Sequence, residues 1–216
     1  MVDYYIAVKL NVFKKQIKTL LGKFTYIDLE SAFKAYKRNE SLKNKFTITF
    51  DDGYEDIIPA LDFLEKNNIT STIFIPTDHI GKDNRWNYKA TNIASTLNNF
   101  QIKQLSRKGH LIGSHGKTHQ CLTKLPDREL LNEILLSKRK LEKIINKKVD
   151  FFAYPFGYHD ARVRNIASKY YKAAFATNKI TEDFNLSDVF QIQRLSINND
   201  TSLKTMINYI KTGYEK

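Results

Sequence analysis

Two adjacent aspartates end a predicted strand and are the first candidates for chemistry in this sequence. Apolar residues alternate with threonines over residues 46–50, which predicts a strand that runs into Asp51 and Asp52. Neighbouring carboxylates repel each other, and the pKa of at least one of them rises unless a cation lies between them. The carboxyl ends of parallel strands are where α/β folds carry their chemistry. Aspartate is also frequent at turns and helix N-caps, so the pair alone fits both a cation site and a cap.

Three of the five histidines lie within residues 109–119, just after a second short predicted strand. His115 and His119 are four residues apart, so one helical turn would bring both imidazoles to one face. Two imidazoles and one carboxylate form a facial ligand set that suits zinc, iron, cobalt or nickel. An HxxxH pair is weak evidence by itself, but together with the aspartate pair it predicts a divalent metal site. Cys121 follows closely and fits either a soft metal ligand or a small buried apolar residue.

The segments FDDGY at 50–54 and SHGKTH at 114–119 resemble the motifs of the polysaccharide deacetylase family, also called the NodB homology or carbohydrate esterase 4 family. The segment GHLIGSH at 109–115 looks like the usual approach to the histidine motif, and FAYPFG at 152–157 is similar to a third motif. The resemblance covers about residues 11–197, which is most of the chain. The first two motifs are highly specific together, and the third is moderately specific.

The resemblance implies that Asp52, His115 and His119 bind a divalent metal and that Asp51 is the general base. The metal is expected to be Zn²⁺, with Co²⁺, Ni²⁺ or Fe²⁺ as alternatives. Such an ion would polarise an amide carbonyl and activate water, and an ionised Asp51 would accept the proton of that water. The backbone N–H of Phe156, at a predicted strand end, could bind the oxyanion.

Two positions depart from the pattern of the family. Its third motif often begins with an arginine that orients the base, and Ala153 stands at that position here. Relatives commonly use a late histidine as general acid, and no histidine follows His159. Arg194, at the end of a late predicted strand, is the candidate replacement for the arginine. His159 is the candidate acid, although a role at a helix start fits it equally well.

Contacts with the sugar are predicted for Tyr54, Tyr154, Pro155, Gly157 and Trp86. The first four belong to the motifs. Trp86 is the only tryptophan and lies in a polar, irregular segment, where stacking on a sugar ring and packing onto the protein are equally plausible.

Strands alternate with helices along the chain, which predicts a parallel α/β arrangement with right-handed crossovers. The resemblance implies a distorted (β/α) barrel with about seven parallel strands. We predict one domain over residues 1–216, with lead-in elements over 1–45, a catalytic core over 46–197 and a terminal helix over 198–216. The predicted strands cover 4–8, 24–27, 46–50, 69–75, 111–112, 149–154, 173–176 and 190–195, and the predicted helices cover 12–21, 29–36, 57–64, 100–105, a long segment from Pro126, 163–170 and 203–210.

Composition restricts the class of protein. The chain has 216 residues, of which 42% are hydrophobic, so it can bury a substantial core and is not a disordered protein. No apolar run reaches the roughly 18 residues of a membrane helix. The first residues lack the basic and apolar regions of a signal peptide, so the chain as written is expected in the cytoplasm. The family is mostly exported, and a trimmed chain of an exported protein would look the same.

The net charge of +12 predicts acidic partners. The lysines are scattered and are not interleaved with aromatic residues, so we expect no nucleic acid partner. Basic helical faces are compatible with peripheral association with an anionic membrane.

The predicted function is a metal-dependent hydrolase that removes the N-acetyl group from an amino sugar. The substrate is a polysaccharide or its lipid- or nucleotide-linked precursor. One alternative is a sugar-binding pseudoenzyme that keeps the metal and loses proton delivery. The other is a deformylase or another linear amide hydrolase on the same scaffold.

Overall fold

The structure, a computed structural model, describes residues 8–85, 93–177 and 188–212. Trp86 and all but the last residue of the predicted strand over 4–8 lie outside the described residues. In chain order the elements are α1 (Leu10–Leu21), β1 (Thr25–Tyr26), α2 (Leu29–Lys37), β2 (Lys45–Phe46), β3 (Thr49–Phe50), α3 (Ile58–Glu65), β4 (Thr72–Ile75), α4 (Asn99–Arg107), β5 (Leu111–Ser114), α5 (Asp127–Ile145), β6 (Phe151–Ala153), α6 (Ala161–Ser168), β7 (Ala173–Ala176), β8 (Ile192–Gln193) and α7 (Leu203–Thr212).

A parallel sheet in the order β3-β4-β5-β6-β7-β8 forms the centre of the fold. Helices α3, α4, α5 and α6 connect its successive strands from β3 to β7. Arg194, directly after β8, donates a hydrogen bond to Thr49 in β3, so the two edges of the sheet approach each other and the sheet is curled. The predicted α/β barrel class is confirmed, with six strands in this sheet among the described residues instead of about seven.

The predicted strand over residues 46–50 is divided between two sheets. Its first part pairs with β1 as β2, and its last part pairs with β4 as β3. Phe46 and Ile48 are buried and Thr47 is exposed, so the side chains alternate as expected. Alternation indicates which side chains are buried, but it does not indicate which strand is the neighbour, and the division could not be read from it.

The central strands β4, β6 and β7 are buried along their whole length. This burial is typical of parallel sheets that helices cover on the outside. The sheet therefore forms a rigid base for the loops at the carboxyl ends of its strands. None of the described helices combines the length and the apolar character needed to span a bilayer.

Helices begin at residues that cap them, as several positions in the sequence indicate. The carboxylate of Asp28 accepts a hydrogen bond from the backbone N–H of Ser31 at the start of α2. Asp160 accepts one from Val163 at the start of α6, directly after the third motif. A capped start fixes the last residues of the preceding loop.

A buried histidine connects the amino ends of β4 and β5. Nδ1 of His110 accepts a hydrogen bond from the backbone N–H of Ser71 (3.0 Å), so the neutral ring carries its proton on Nε2, 3.3 Å from a carboxylate oxygen of Glu65. Burial lowers the pKa of His110, although Glu65 acts in the opposite direction. The folded state therefore keeps the ring neutral at pH values where an unfolded histidine binds a proton.

We expect acid to destabilise the protein through His110. Because its folded-state pKa lies below the unfolded value of about 6.5, its contribution is complete above about pH 6.5 and is lost as the pH falls from there towards the folded-state pKa. The free energy of unfolding of His110→Gln should therefore depend less steeply on pH than that of the wild type between about pH 7 and pH 5. Urea unfolding with a chelator present measures this without a contribution from metal release. An unchanged slope in the variant would contradict the prediction.

Candidate metal centre

The aspartate pair lies directly after β3, in a turn with two consecutive left-handed residues. Asp52 has φ 67° and Gly53 has φ 63°. A Cβ at Gly53 would lie 3.3 Å from a side-chain carbon of Ile75 in β4, so the turn packs closely on the neighbouring strand. This conformation directs the carboxylate of Asp52 towards the loop after β5. Its Oδ1 lies 3.2 Å from Nε2 of His119 and 3.6 Å from Nε2 of His115.

The two histidines meet through a loop and not through a helix, so the predicted helical turn is wrong. Strand β5 ends at Ser114, and the backbone N–H of His115 still donates to the carbonyl of Ile75. Gly116 and His119 then adopt left-handed backbone angles (φ 79° and 59°), which a right-handed helical turn does not contain. The ring centroids of His115 and His119 are 4.8 Å apart.

Asp52, His115 and His119 together fit a divalent metal ion. Their nearest ligand atoms all lie within 4.8 Å of one another. Oδ1 of Asp52 is buried and has no hydrogen-bond donor in the part of the chain that the structure describes, as expected of an atom that ligates a cation. Cys121 is not a member of this group, and its thiol lies 3.4 Å from the hydroxyl of Thr123.

The protonation of His115 also fits metal binding. Its Nδ1 lies 2.8 Å from the carbonyl oxygen of Ala153, and a carbonyl can only accept, so Nδ1 carries the proton and Nε2 presents its lone pair to Asp52. Burial lowers the pKa of His115 and favours the neutral ring, although the carboxylate of Asp51 opposes this. A neutral imidazole whose second nitrogen donates to a carbonyl is the usual form of a histidine ligand.

Asp51 lies beside this group and forms a bidentate ion pair with Arg194. The distances from Nη1 to Oδ1 and from Nη2 to Oδ2 are 2.7 and 2.6 Å. Burial acts to raise the pKa of Asp51, but the charge of Arg194 and the nearby imidazoles outweigh it, and the pKa falls to about 2. Asp51 is therefore ionised at neutral pH. Arg194 occupies the place that its sequence position suggested, and its catalytic role stays a prediction.

In the third motif the exposed side chain is that of Phe156, and the residues predicted to contact the sugar are buried. Tyr154 is 1% exposed and donates its hydroxyl proton to the carbonyl of Phe190, and Pro155 and Gly157 are also buried. These residues are packed away from the surface, and their predicted contacts with a sugar stay predictions. Phe156 instead has a left-handed backbone (φ 61°) and a side chain that is 52% exposed, with its ring 4.7 Å from that of His119.

The other predicted residues lie in different settings. Tyr54 is half-buried, and its backbone pairs with Thr96 in an isolated antiparallel bridge. His159 packs against the ring of Tyr154, and a guanidinium nitrogen of Arg164 lies 3.2 Å from its Nδ1. An arginine can only donate, so this contact makes Nδ1 of His159 an acceptor and opposes a proton-donating role for that atom. The roles of Tyr54 and His159 in binding and proton transfer stay predictions.

Two residues that contact the site were not predicted. Thr49 accepts a hydrogen bond from Arg194 (3.0 Å), and Glu133 in α5 accepts hydrogen bonds from the loop between the two histidines. The sequence contains a signal for the second, since Glu133 is an acid about one turn after Leu130, on the buried side of a long predicted helix. A charged residue at such a position requires a buried partner.

Residues 38–174 match the family described as polysaccharide deacetylase. Peptidoglycan-N-acetylmuramic acid deacetylase PdaA of Bacillus subtilis is 27% identical over 143 residues, which are 65% of this chain and 45% of that protein. The chain thus spans less than half the length of that relative. Poly-β-1,6-N-acetyl-D-glucosamine N-deacetylase of Staphylococcus aureus is 24% identical over 208 residues, which are 90% of this chain and 69% of that protein. The fold is similar to that of Streptococcus pyogenes deacetylase PplD in complex with acetate, with a TM-score of 0.78, 21% identity and coverage of 94% of this chain and 87% of that one.

We expect loss of any of the three ligand side chains to impair metal binding. Asp52→Ala and His119→Ala should each lower the affinity for Zn²⁺ by more than about 100-fold, since loss of an outer partner of a ligand already costs about 10–100-fold. Competition between the apo-protein and a chromophoric chelator measures the affinity. Asp62→Ala, which removes an exposed carboxylate of α3, is the matched control and should bind like the wild type. Equal affinities of Asp52→Ala and Asp62→Ala would refute the assignment.

Proposed function

Because this chain belongs to the polysaccharide deacetylase family, we propose that it is a metal-dependent hydrolase that removes N-acetyl groups from amino sugars in a glycan. The observation that carries the proposal is an ionised, arginine-bound Asp51 beside a group of one carboxylate and two imidazoles. This combination supplies a proton acceptor and a cation site within a few ångströms of each other. A purely structural ion pair would not need a second carboxylate with an unsatisfied oxygen next to it.

The substrate that we favour is a polymer of N-acetylglucosamine. The Staphylococcus aureus relative, which by its name acts on poly-β-1,6-N-acetyl-D-glucosamine, matches 90% of this chain. The PdaA match, to a protein named for peptidoglycan N-acetylmuramic acid, covers 65%. The exposed ring of Phe156 beside His119 offers an apolar surface next to the centre, as a sugar face requires. A β-1,6-linked oligomer is therefore the first substrate to test.

Each residue of the site has its own role in the proposed reaction. Asp52, His115 and His119 would hold the metal, and a bound divalent ion supplies Lewis acidity for an acyl carbonyl and for water. Asp51 accepts a proton as the oxygen of water bonds to the acetyl carbon. The backbone N–H of Phe156 is the candidate donor to the developing oxyanion. The bond between carbon and nitrogen then breaks, and acetate and a free amine leave.

We propose that Asp51 also donates the proton that the leaving amine needs. A protonated carboxyl group is a far stronger acid than an ammonium group, so the proton taken from water can pass to the leaving nitrogen. This route needs no late histidine and leaves Asp51 ionised for the next cycle.

We expect Asp51→Asn to abolish turnover and to keep the metal. The amide cannot accept the proton of water, and general acid–base catalysis typically contributes about 10²–10⁴-fold to the rate. The measurement is acetate release from β-1,6-linked N-acetylglucosamine oligomers, together with the metal content of the purified variant. Asp62→Asn is the control with an unchanged rate. Wild-type protein that binds metal and releases no acetate from this or any other acetylated or formylated sugar would favour the pseudoenzyme hypothesis, and preference for formyl groups would favour a deformylase.

The acid limb of the pH–rate profile should depend on Arg194. In Arg194→Gln, Asp51 stays partly buried without its cation, so its pKa rises, and the acid limb of kcat/KM should move to higher pH by about 1–3 units. Arg194→Lys keeps one positive charge without the bidentate contact and should move the limb less. Profiles of kcat/KM from about pH 3 to pH 9, measured with saturating metal, test this order, since the wild type should show no limb from Asp51 in this range and Arg194→Gln should show one. Superimposable profiles for the three proteins would show that Arg194 does not control the base.

A further inference from the structure

Helix α5 contacts the loop between the two histidines through one buried carboxylate. The side chain of Glu133 is directed at residues 117 and 118, and the residue is 5% exposed. Its Oε2 accepts hydrogen bonds from the backbone N–H groups of Lys117 (2.8 Å) and Thr118 (2.9 Å), and its Oε1 accepts one from the hydroxyl of Thr118 (2.6 Å). A buried carboxylate is costly unless hydrogen bonds satisfy it, so the carboxylate and this loop conformation depend on each other.

The carbonyl groups of the same loop are bonded on another side. The carbonyl oxygens of Gly116 and Lys117 accept hydrogen bonds from the backbone N–H groups of Thr77 and Asp78, at distances of 3.1 and 2.8 Å. Those residues follow β4, the neighbouring strand. The loop is therefore fixed to the sheet through its carbonyls and to α5 through its N–H groups. Glu133 supplies the acceptor for two successive N–H groups.

Small residues allow α5 to approach the loop between the two histidines closely. A Cβ at Gly116 would lie 3.1 Å from Oε2 of Glu133, and Gly116 has φ +79°, a conformation that favours glycine. One turn further along α5, Ser137 accepts a hydrogen bond from the hydroxyl of Ser114 (2.8 Å), at the end of β5. Helix α5 thus contacts both the start and the middle of the segment that carries the histidines.

The hydrogen bonds of Glu133 affect the position of His119 more than that of His115. His115 has its own contact with the carbonyl of Ala153, close to the end of β6. His119 directly follows Thr118, so the place of its ring depends on the backbone to which Glu133 is bonded. A change of a few tenths of an ångström there alters the distance from His119 to Asp52, now 3.2 Å.

We infer that Glu133 is a positioning residue of the metal centre, whose carboxylate fixes the loop 115–119 so that His119 meets Asp52 and His115. The inference rests on the proposed metal-dependent function. Glu133 is not a member of the ligand group, and it acts through the backbone of Lys117 and Thr118.

The test compares the Zn²⁺ affinity of apo-proteins by chelator competition. Glu133→Ala removes all three hydrogen bonds and should bind Zn²⁺ about 10–100-fold more weakly than the wild type, as is typical for an outer partner of a ligand. Glu133→Gln keeps one neutral acceptor for the two N–H groups and should show a smaller loss of about three- to tenfold, because neutral hydrogen bonds are about half as strong. Faster amide hydrogen exchange at Lys117 and Thr118 in both variants should accompany the loss of affinity.

The matched control is Glu142→Ala. Glu142 is a carboxylate of the same helix that accepts a hydrogen bond from the backbone N–H of Val149 (3.1 Å), so its loss perturbs α5 away from the histidine loop. It should leave Zn²⁺ affinity within about twofold of the wild type, although it lowers stability through the loss of this part-buried hydrogen bond and of the ion pair with Lys138.

Several outcomes would overturn the inference. Wild-type Zn²⁺ affinity in Glu133→Ala would do so, as would an equal loss in Glu142→Ala, which would indicate a general effect of α5. If Glu133→Ala does not fold, wild-type affinity in Glu133→Gln has the same consequence. In each of these cases the wild type still binds metal and releases acetate, so the proposed function survives. A wild-type protein that binds no divalent ion would instead remove the proposed function and this inference with it.

Discussion

The ion pair between Arg194 and Asp51 is the contact on which both the site and the curled sheet depend. Arg194 follows β8 and Asp51 follows β3, the two edge strands, so the pair connects the edges of the sheet. The same guanidinium donates to Thr49 and lies over the ring of Phe74 at 5.1 Å. The side chain of Arg194 is only 11% exposed, so loss of either partner would leave a poorly solvated charge, which is far more costly than breaking a surface pair. One contact therefore keeps Asp51 ionised and connects the two edges of the sheet.

The sequence predicted the elements and the ligand set because both depend on residue type and local pattern. Helices α1, α2 and α5 and strand β4 follow from apolar spacing, caps and β-branched residues, which act over a few neighbours. The aspartate pair and the two histidines were predicted to form one metal site because each follows a predicted strand, and parallel strands bring their carboxyl ends to one edge. The family resemblance then identified Asp52, His115 and His119 as the ligands. The chemistry of the side chains then restricted the ligand to a divalent metal.

The features that the sequence did not reveal depend on contacts between distant segments. Asp52, His119 and Phe156 adopt left-handed backbone angles, which typically cost about 1–3 kcal/mol each and persist only where surrounding contacts impose them. The HxxxH spacing could not distinguish such a loop from a helical turn. The burial of Tyr154 likewise follows from its packing against neighbouring strands and from its hydroxyl contact with Phe190, neither of which is visible in the motif.

The absence of an arginine at position 153 therefore does not indicate a missing interaction. Ala153 is buried in the same cluster as Phe74, whose ring lies under the guanidinium of Arg194, so this part of the core is arranged around an arginine that arrives from β8. A guanidinium at hydrogen-bonding distance orients a carboxylate, whichever strand carries the arginine. The hypothesis of impaired catalysis then depends only on the proton for the leaving amine. In the proposed reaction Asp51 meets that requirement itself, because a protonated carboxyl group readily loses its proton to a more basic nitrogen.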